Sequence, residues 1–157
     1  MPSNCYEQVM QMLRWNNEDG IQQKGIELAS QFEDIHLFIQ PGCDKSVWEN
    51  CAKIVCAKAD NVLEPYLSLL CEWIQDLTWP GAMLIMKRLK AFDARLLLTP
   101  FVESVKKAKK QDDQEWLNHL SILLENKELM YSFKNSTPSL FPLLEKHYSD
   151  FCGKTLE

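Results

Sequence analysis

The sequence predicts an all-α protein, and three observations lead to that fold class. Apolar residues recur at the i, i+3, i+4, i+7 spacing of an amphipathic helix, first at Tyr6, Val9, Met10 and Leu13. No segment shows the clear alternation of a strand, although IHLFI at 35–39 is apolar enough to fit one. Prolines also stand just before several apolar stripes, where a missing N–H costs nothing.

Eight helices follow from this periodicity in chain order. The polar break NNED separates the first two, and Asp44 is expected to cap the third. The apolar stripes that define the helices run from Tyr6 to Leu13, Ile21 to Phe32, Trp48 to Val55, Tyr66 to Leu77, Ala82 to Phe92, Phe101 to Ala108, Trp116 to Leu124, and Leu140 to Phe151.

Three prolines recur at similar intervals and indicate a repeat. Pro65, Pro100 and Pro142 are each expected at a first helical position, and the gaps between them are 35 and 42 residues. Such gaps have the length of a helix pair in HEAT-type repeats. WENCAKIV at 48–55 is echoed by WLNHLSIL at 116–123, which suggests two divergent four-helix halves of one domain, about 1–77 and 78–157. The predicted fold is a HEAT-like α-α superhelix, a short right-handed solenoid of about four stacked hairpins.

Length and composition agree with a single folded domain. A chain of 157 residues can bury a sizeable core, and 46% hydrophobic with 25% charged residues excludes general disorder. The N-terminus lacks the basic flank and cleavage site of a signal peptide, and no apolar run reaches the roughly 18 residues of a membrane span. We therefore expect a cytoplasmic protein without membrane contact.

The six cysteines are expected to be reduced and structural. They are Cys5, Cys43, Cys51, Cys56, Cys71 and Cys152. No two form a C-x-x-C pair, and no histidine stands at zinc-like spacing from them, so neither a disulfide framework nor a metal site is predicted.

The stretch EWIQDLTWPGA at 72–82 has two interpretations. As a structural corner, Trp73 and Trp79 cover a joint between two helices, while Asp76 accepts the backbone N–H of Gly81 or Ala82. In that case the fourth helix ends near Leu77 and Pro80 opens the fifth after a turn of two or three residues. As a recognition site, an exposed Trp79 beside Asp76 would contact a partner or an aromatic ligand. The structural interpretation is the preferred one, because tryptophans at helical corners more often pack than recognise.

The same stretch resembles a bacterial family known only as domain of unknown function 5071. The similarity runs from Asp60 to about Glu125 and rests on a W-L-Q-D-x-N-W-P-x-A motif, in which Thr78 here replaces the usual Asn. The resemblance implies a bacterial, all-helical, HEAT-like protein without catalytic residues. Some similar proteins look like immunity factors encoded beside toxins, which is an analogy of gene setting.

The chain shows no recognisable catalytic or cofactor-binding motif. It has no glycine-rich phosphate loop, no G-x-S-x-G and no H-E-x-x-H. His147 lies on the apolar stripe of the last helix and is interpreted as a core residue, and His36 and His119 are no stronger as ligands. No catalytic, cofactor-binding or metal-ligating residue is therefore predicted.

Charge is unevenly distributed along the chain. Residues 1–86 carry 5 basic and 12 acidic side chains, residues 87–110 carry 8 and 2, and residues 111–157 carry 4 and 8. The central excess forms what we call the basic strip: Lys87, Arg88, Lys90, Arg95, Lys106, Lys107, Lys109 and Lys110. It is interpreted as a solvated face, as a docking surface for an acidic protein, or as a nucleic-acid contact, and the pI near 5.3 argues against the last.

Two functions of different classes fit these observations. The preferred one is a non-enzymatic protein-interaction module with an unidentified protein partner, monomeric or weakly dimeric, with a toxin-neutralising immunity protein as one such role. The alternative is a HEAT-like nucleic-acid-binding or DNA-glycosylase-type protein that uses the strip at 87–110. That enzyme would need a carboxylate and an aromatic pocket beside the strip, for which Asp93 and Trp79 are the candidates.

Overall fold

The computed structural model describes residues 3–42 and 44–157, and within these ranges it contains helices and no strands. The helices are α1 (Ser3–Met12), α2 (Asp19–Ala29), α3 (Trp48–Cys56), α4 (Asp60–Leu63), α5 (Leu67–Trp73), α6 (Ala82–Lys90), α7 (Ala94–Lys110), α8 (Gln114–Ile122), α9 (Lys127–Ser136) and α10 (Phe141–Cys152). Short 3₁₀ turns lie at Ile35–Phe38, Lys45–Val47, Glu64–Tyr66 and Leu123–Glu125. The all-α prediction is confirmed, and the apolar stretch at 35–39 forms a 3₁₀ turn.

Helices that are next but one along the chain pack against each other. The short α4, its 3₁₀ turn and α5 form one helical segment, after which α5 packs on α7, and α7 on α9. On the other side, α3 packs on α6, α6 on the turn that ends α8, and α8 on α10. The result is two layers, one of α3, α6, α8 and α10, the other of α5, α7 and α9, with α1 and α2 as a hairpin beside α3.

One continuous apolar core joins the two predicted halves. Trp73 from α5, Phe101 from α7 and Trp116 from α8 are fully buried in it. Phe133 from α9 stands edge-on to Phe101, with ring centroids 5.1 Å apart. The core is therefore continuous across the position near residue 78 where the predicted halves meet.

Pro100 does not open a helix, contrary to the prediction. It lies inside α7, which begins six residues earlier at Ala94 behind an Asp93 cap whose side chain accepts the N–H of Arg95. An interior proline removes one backbone hydrogen bond, at a cost of about 3 kcal/mol. Burial of Ala94 and Leu97 upstream of the proline offsets that cost and extends the helix.

The C-terminal third contains a helix that the periodicity analysis did not identify. Asn126 caps α9 by accepting the N–H of Leu129 at 3.2 Å, and Leu129 and Phe133 are buried. The final stripe is also rotated by about one residue, since Tyr148 of α10 is buried while Phe151 is 49% exposed. Pro142 does stand in the first turn of α10, as predicted.

Two further expectations concern the cysteines and the membrane. No disulfide joins the five described cysteines, and Cys43 lies outside the described residues. Burial raises the pKa of the Cys71 thiol to about 12, so this thiol stays protonated. Within the described ranges, no helix is long and apolar enough to cross a membrane.

Candidate protein-interaction site

Three tryptophans from consecutive structural segments meet where α3, α5 and α6 approach one another. We call Trp48, Trp73 and Trp79 the tryptophan corner. Trp73 is fully buried, and its Nε1–H donates to the carbonyl of Pro80 at 3.1 Å. Its ring centroid lies 6.1 Å from that of Trp48, edge to face. The Trp73 side chain therefore ties the end of α5 to the start of α6 and faces the core.

Side chains of α8 bind the carbonyl groups at the end of α5. Trp116 Nε1–H donates to the carbonyl of Cys71 at 3.0 Å, and Nδ1 of His119 lies 2.8 Å from the carbonyl of Ile74. The second contact places the proton on Nδ1, because a carbonyl only accepts. These groups would otherwise be among the unpaired carbonyls of a helix end. Both partners stand 45 residues away in sequence, so no local pattern signals them.

The connection between α5 and α6 is longer than predicted and is capped differently. α5 ends at Trp73 rather than near Leu77, and residues 74–81 form the connection. Pro80 does not open the next helix as predicted, because α6 begins at Ala82 behind Gly81. Asp76 Oδ1 accepts the backbone N–H of Thr78 at 2.8 Å and the Thr78 hydroxyl at 2.6 Å. These two bonds lower the pKa of Asp76, and the bond from the hydroxyl has the larger effect. The predicted bond from Gly81 or Ala82 to Asp76 was wrong, because Asp76 is engaged in its own local turn.

A carboxylate from α3 takes the position that was assigned to Asp76. Glu49 Oε2 accepts the N–H of Gly81 at 2.6 Å. Gly81 has φ +82°, and a Cβ added there would meet the Cβ of Ala52 at 2.6 Å and the carbonyl of Trp48 at 2.8 Å. Only glycine allows this backbone conformation and this close approach of α6 to α3. The Trp-Pro-Gly sequence thus fixes the contact between the two helices.

Trp79 lies at the outer side of the corner. It is half-buried, and its ring stands nearly perpendicular to that of Trp48, at 86° with centroids 5.8 Å apart. The Lys45 ammonium lies over both rings. Part of the Trp79 ring therefore stays accessible, while Trp73 does not.

Half of the basic strip is neutralised by ion pairs. The pairs are Arg88 with Asp60, Lys90 with Glu125 at 2.9 Å, Arg95 with Asp93 at 2.8 Å, and Lys107 with Glu72 at 2.8 Å. Arg88 is the most deeply engaged, because it also donates to the carbonyls of Cys56 at 3.2 Å and Lys58 at 2.9 Å at the end of α3. Its guanidinium acts as a C-cap that favours the negative end of that helix.

The remaining strip cations are exposed and make no ion pair among the described residues: Lys87, Lys106, Lys109 and Lys110. They do not form one surface. Lys87 lies within one turn of the end of α6, whereas Lys106 lies about 18 Å along α7 from the start of that helix. The structure therefore separates Lys87 on α6 from the three lysines at the C-terminal end of α7.

Lys87 borders an apolar groove on the surface between α3 and α6. Its volume is about 430 Å³, and its lining residues are Lys53, Cys56, Ala57, Leu84, Lys87, Arg88 and Ala91. The α3 wall ends in the exposed Lys53 and the α6 wall in the exposed Lys87, while apolar side chains and a thiol form the floor. Lys53, like Lys87, makes no ion pair with any described residue. Burial raises the pKa of Cys56 to about 11, so the thiol serves as a small apolar surface rather than a nucleophile.

The two residues considered for glycosylase chemistry lie apart. Trp79 precedes the nine-residue α6 and Asp93 follows it, so they lie at opposite ends of a helix about 14 Å long. The Asp93 carboxylate binds the Arg95 guanidinium and also caps α7 through the Arg95 N–H, and these bonds lower the pKa of Asp93. The structure therefore does not bring Asp93 and Trp79 together beside the basic strip, as that alternative requires.

Of the other two histidines, His36 stacks on Tyr66 with ring centroids 5.9 Å apart, and His147 lies beside α8, where it is half-buried and not the core residue that the sequence predicts. His147 Nδ1 is 2.7 Å from Asn118 Oδ1, and partial burial lowers the pKa of this half-buried imidazole. Within residues 3–42 and 44–157, no three histidine, cysteine, aspartate or glutamate side chains are placed to hold a metal ion.

The fold and the candidate site define an all-helical protein with a cation-edged surface groove. The chain belongs to the family described as Domain of unknown function (DUF5071), whose model matches residues 44–149. The match extends on both sides of the 60–125 segment that carries the sequence resemblance, and it includes the groove and the tryptophan corner. No curated protein and no solved structure matches the chain.

Proposed function

We propose that this protein is a non-enzymatic interaction module that binds an acidic segment of a partner protein in the groove between α3 and α6. The observation that carries the proposal is the pairing of an apolar floor with two exposed lysines on opposite walls. Lys53 and Lys87 have no acidic partner among the described residues, although acidic residues outnumber basic ones in the chain by 22 to 17. An acidic partner would supply the missing charges.

The chemistry of the groove favours an amphipathic helix as the occupant. Leu84, Ala57 and Ala91 offer an apolar surface that would contact the apolar stripe of such a helix. Carboxylates that flank the stripe would meet Lys53 and Lys87. Charge pairs at the rim of an interface raise the association rate and fix orientation, while the apolar contact provides most of the affinity.

The arrangement of the helices supports a HEAT-like solenoid as the scaffold of this module. Contacts between next-but-one helices in two layers are what stacked helical hairpins make. Stacked hairpins present grooves between adjacent helices of one layer, and the groove between α3 and α6 lies in such a position. The glycine contact at Gly81 and the Arg88 cap hold its two walls in place.

We further propose a bacterial, cytoplasmic setting, with neutralisation of a toxin as the biological role to test first. This part of the proposal is supported by the analogy of gene setting alone. It predicts a gene for a secreted toxin next to the gene for this protein. A neighbouring set of DNA-repair genes would instead favour the nucleic-acid alternative.

Site-specific crosslinking tests the groove directly. A photoreactive phenylalanine analogue is placed at Ala91 in the groove. A matched control carries the analogue at Tyr131 of α9, an aromatic side chain that is 57% exposed and does not line the groove. Both proteins are irradiated in cells of the source organism, and the crosslinked peptides are sequenced. We expect an acidic segment of one protein to crosslink from position 91 and not from position 131.

Charge reversal then separates the groove from the rest of the basic strip. Lys53→Glu with Lys87→Glu should abolish the crosslink from position 91, because the acidic segment would meet like charges. Lys106→Glu with Lys109→Glu should leave the crosslink intact. A crosslink to nucleic acid, or a crosslink that only the second pair of changes removes, would refute the groove as the docking site.

A further inference from the structure

A lysine ammonium group lies in the angle between two tryptophan rings at the outer side of the corner. Nζ of Lys45 is 5.5 Å from the ring centroid of Trp48 and 5.6 Å from that of Trp79. The two rings meet at 86°, so they form two walls around one cation. Both distances lie within the roughly 6 Å range of a cation–π interaction.

Three acidic residues adjoin the residues of this angle along the chain. Asp76 lies on the connection that carries Trp79, and its side chain is partly exposed. Asp44 precedes Lys45 and lies 3.9 Å from the Arg14 guanidinium, while Glu49 follows Trp48 and accepts the N–H of Gly81. The 3₁₀ turn Lys45–Val47 fixes the position of Lys45 relative to Trp48, because Asp44 caps that turn through the N–H of Ser46 at 2.9 Å.

We propose that the angle between Trp48 and Trp79 is a binding site for an arginine side chain of a partner protein, and that Lys45 occupies it in the unbound protein. A long exposed lysine gains rotamer entropy by extending into water, so its position over two rings indicates an attraction for cations in that angle. Lys45 makes no ion pair with any described residue that would hold it there.

A guanidinium group suits this site better than the ammonium that fills it. Guanidinium is planar and more weakly hydrated, and it stacks on one aromatic face while its N–H groups reach a carboxylate. Here the half-buried Trp79 supplies the accessible aromatic face. The site is independent of the groove between α3 and α6, which lies along α6 beyond Gly81 and would take an acidic segment.

Nuclear magnetic resonance of the indole N–H groups tests the proposal on the full chain. The probe is N-acetyl-arginine methylamide, titrated against a sodium chloride series of equal ionic strength. In Lys45→Ala, the indole signals of Trp48 and Trp79 should shift saturably, with binding at least about three-fold tighter than in the wild type, because the internal competitor is gone. In Lys45→Arg, binding should be weaker than in the wild type, since a guanidinium already fills the site.

Trp15 provides an internal control, because it is 56% exposed and its ring is not one of the two that face Lys45, although its backbone N–H donates to the carbonyl of Ser46. Shifts of equal size at Trp15 would mean non-specific binding and would overturn the proposal. So would equal affinities of the wild type and Lys45→Ala, which would show that Lys45 merely covers the rings. Trp79→Leu, which keeps apolar volume and removes the ring, should lose binding; if it does not fold, the comparison of Lys45→Ala with Lys45→Arg decides alone.

Discussion

The tryptophan corner and the groove between α3 and α6 lie at opposite ends of α6 and treat their polar groups differently. In the corner, Trp73, Glu49 and Asp76 all have hydrogen-bond partners within the chain. In the groove, Lys53 and Lys87 have none among the described residues. Both regions are positioned by the same helix, so they differ in how many of their polar groups are hydrogen-bonded within the chain.

This difference separates residues that hold the fold from residues that are available to a partner. A side chain whose bonds are all made inside the chain would have to break them before binding anything, at about 0.5 to 1.5 kcal/mol net for each bond. An unpaired cation on a fixed helical surface requires no such loss. Arg88 and Lys87 show the contrast between neighbours: Arg88 caps α3, whereas Lys87 points to solvent at the groove edge.

The largest effect is expected in the corner, from Trp73→Ala. Removing a fully buried indole leaves a cavity and an unpaired carbonyl at Pro80, which should lower the free energy of unfolding by roughly 3 to 5 kcal/mol. Urea denaturation followed by circular dichroism measures it. Trp15→Ala is the control, since an exposed tryptophan should change stability by about 0.5 kcal/mol. Equal losses in the two variants would contradict a structural corner.

The next effect tests the contact between α6 and α3. Gly81→Ala should destabilise by about 2 to 4 kcal/mol, because the new Cβ combines left-handed backbone strain with overpacking against Ala52 and the Trp48 carbonyl. Gly153→Ala is the matched control, since Gly153 has φ +70° and open space around it, and should cost only about 1 kcal/mol. Similar losses at both positions would show that close approach contributes nothing.

Arg88 and Lys87 are neighbours on α6, and their replacement is expected to change stability by very different amounts. Arg88→Ala should lower the free energy of unfolding by about 2 kcal/mol, since it removes charge-assisted bonds to Asp60 and to the end of α3. Lys87→Ala should stay within about 0.5 kcal/mol. Thermal unfolding of both variants at the same ionic strength measures the difference. A destabilised Lys87→Ala would mean that Lys87 is structural, and the groove would lose one of its two available cations.

Local patterns predicted the helices, but not the bonds that join them. The 3.6-residue spacing identified α3, α6 and α8, and the tryptophan motif located a corner between helices. Asp76 was assigned the wrong donor because Glu49 stands 32 residues from Gly81, and only the packing of α3 on α6 brings it there. A single sequence contains no signal for such a long-range partner.

The predicted basic strip shows the same limit on the surface. Eight cations concentrated in residues 87–110 suggested one surface, yet three of their four ion-pair partners, Asp60, Glu72 and Glu125, come from other segments of the chain. Lys53, the second cation of the groove, lies outside the strip and joins Lys87 only through helix packing. The prediction that Pro100 opens a helix was wrong for a related reason, since tertiary burial outweighed the local preference of proline for a helix start.

Acid titration tests the capped turn at Asp76. Its pKa is lowered from the ordinary value of 3.8 by its bonds to Thr78, so the folded state binds this proton more weakly than the unfolded state. The carboxylate therefore stabilises the fold above the unfolded pKa, and that contribution is lost as pH falls through the lower folded pKa. Asp76→Asn should melt below the wild type at neutral pH, and the gap should close in acid. A constant gap would mean that the charge plays no part.

The smallest effect is expected at the end of α7, where Lys106, Lys109 and Lys110 make no ion pair with any described residue. Replacing all three by glutamine removes their interaction with the negative end of α7, a loss of about 0.3 kcal/mol or slightly more for each exposed cation. Differential scanning calorimetry should therefore find a melting temperature within a few degrees of the wild type. Lys107 is left unchanged, because its pair with Glu72 would add a second cause.

The same triple variant distinguishes a solvated surface from a nucleic-acid contact. If the wild type binds duplex DNA at near-physiological salt and the triple variant loses that binding along with its salt dependence, the C-terminal end of α7 is a phosphate-binding surface. We expect neither protein to bind, because acidic residues on both sides of the strip would repel a duplex.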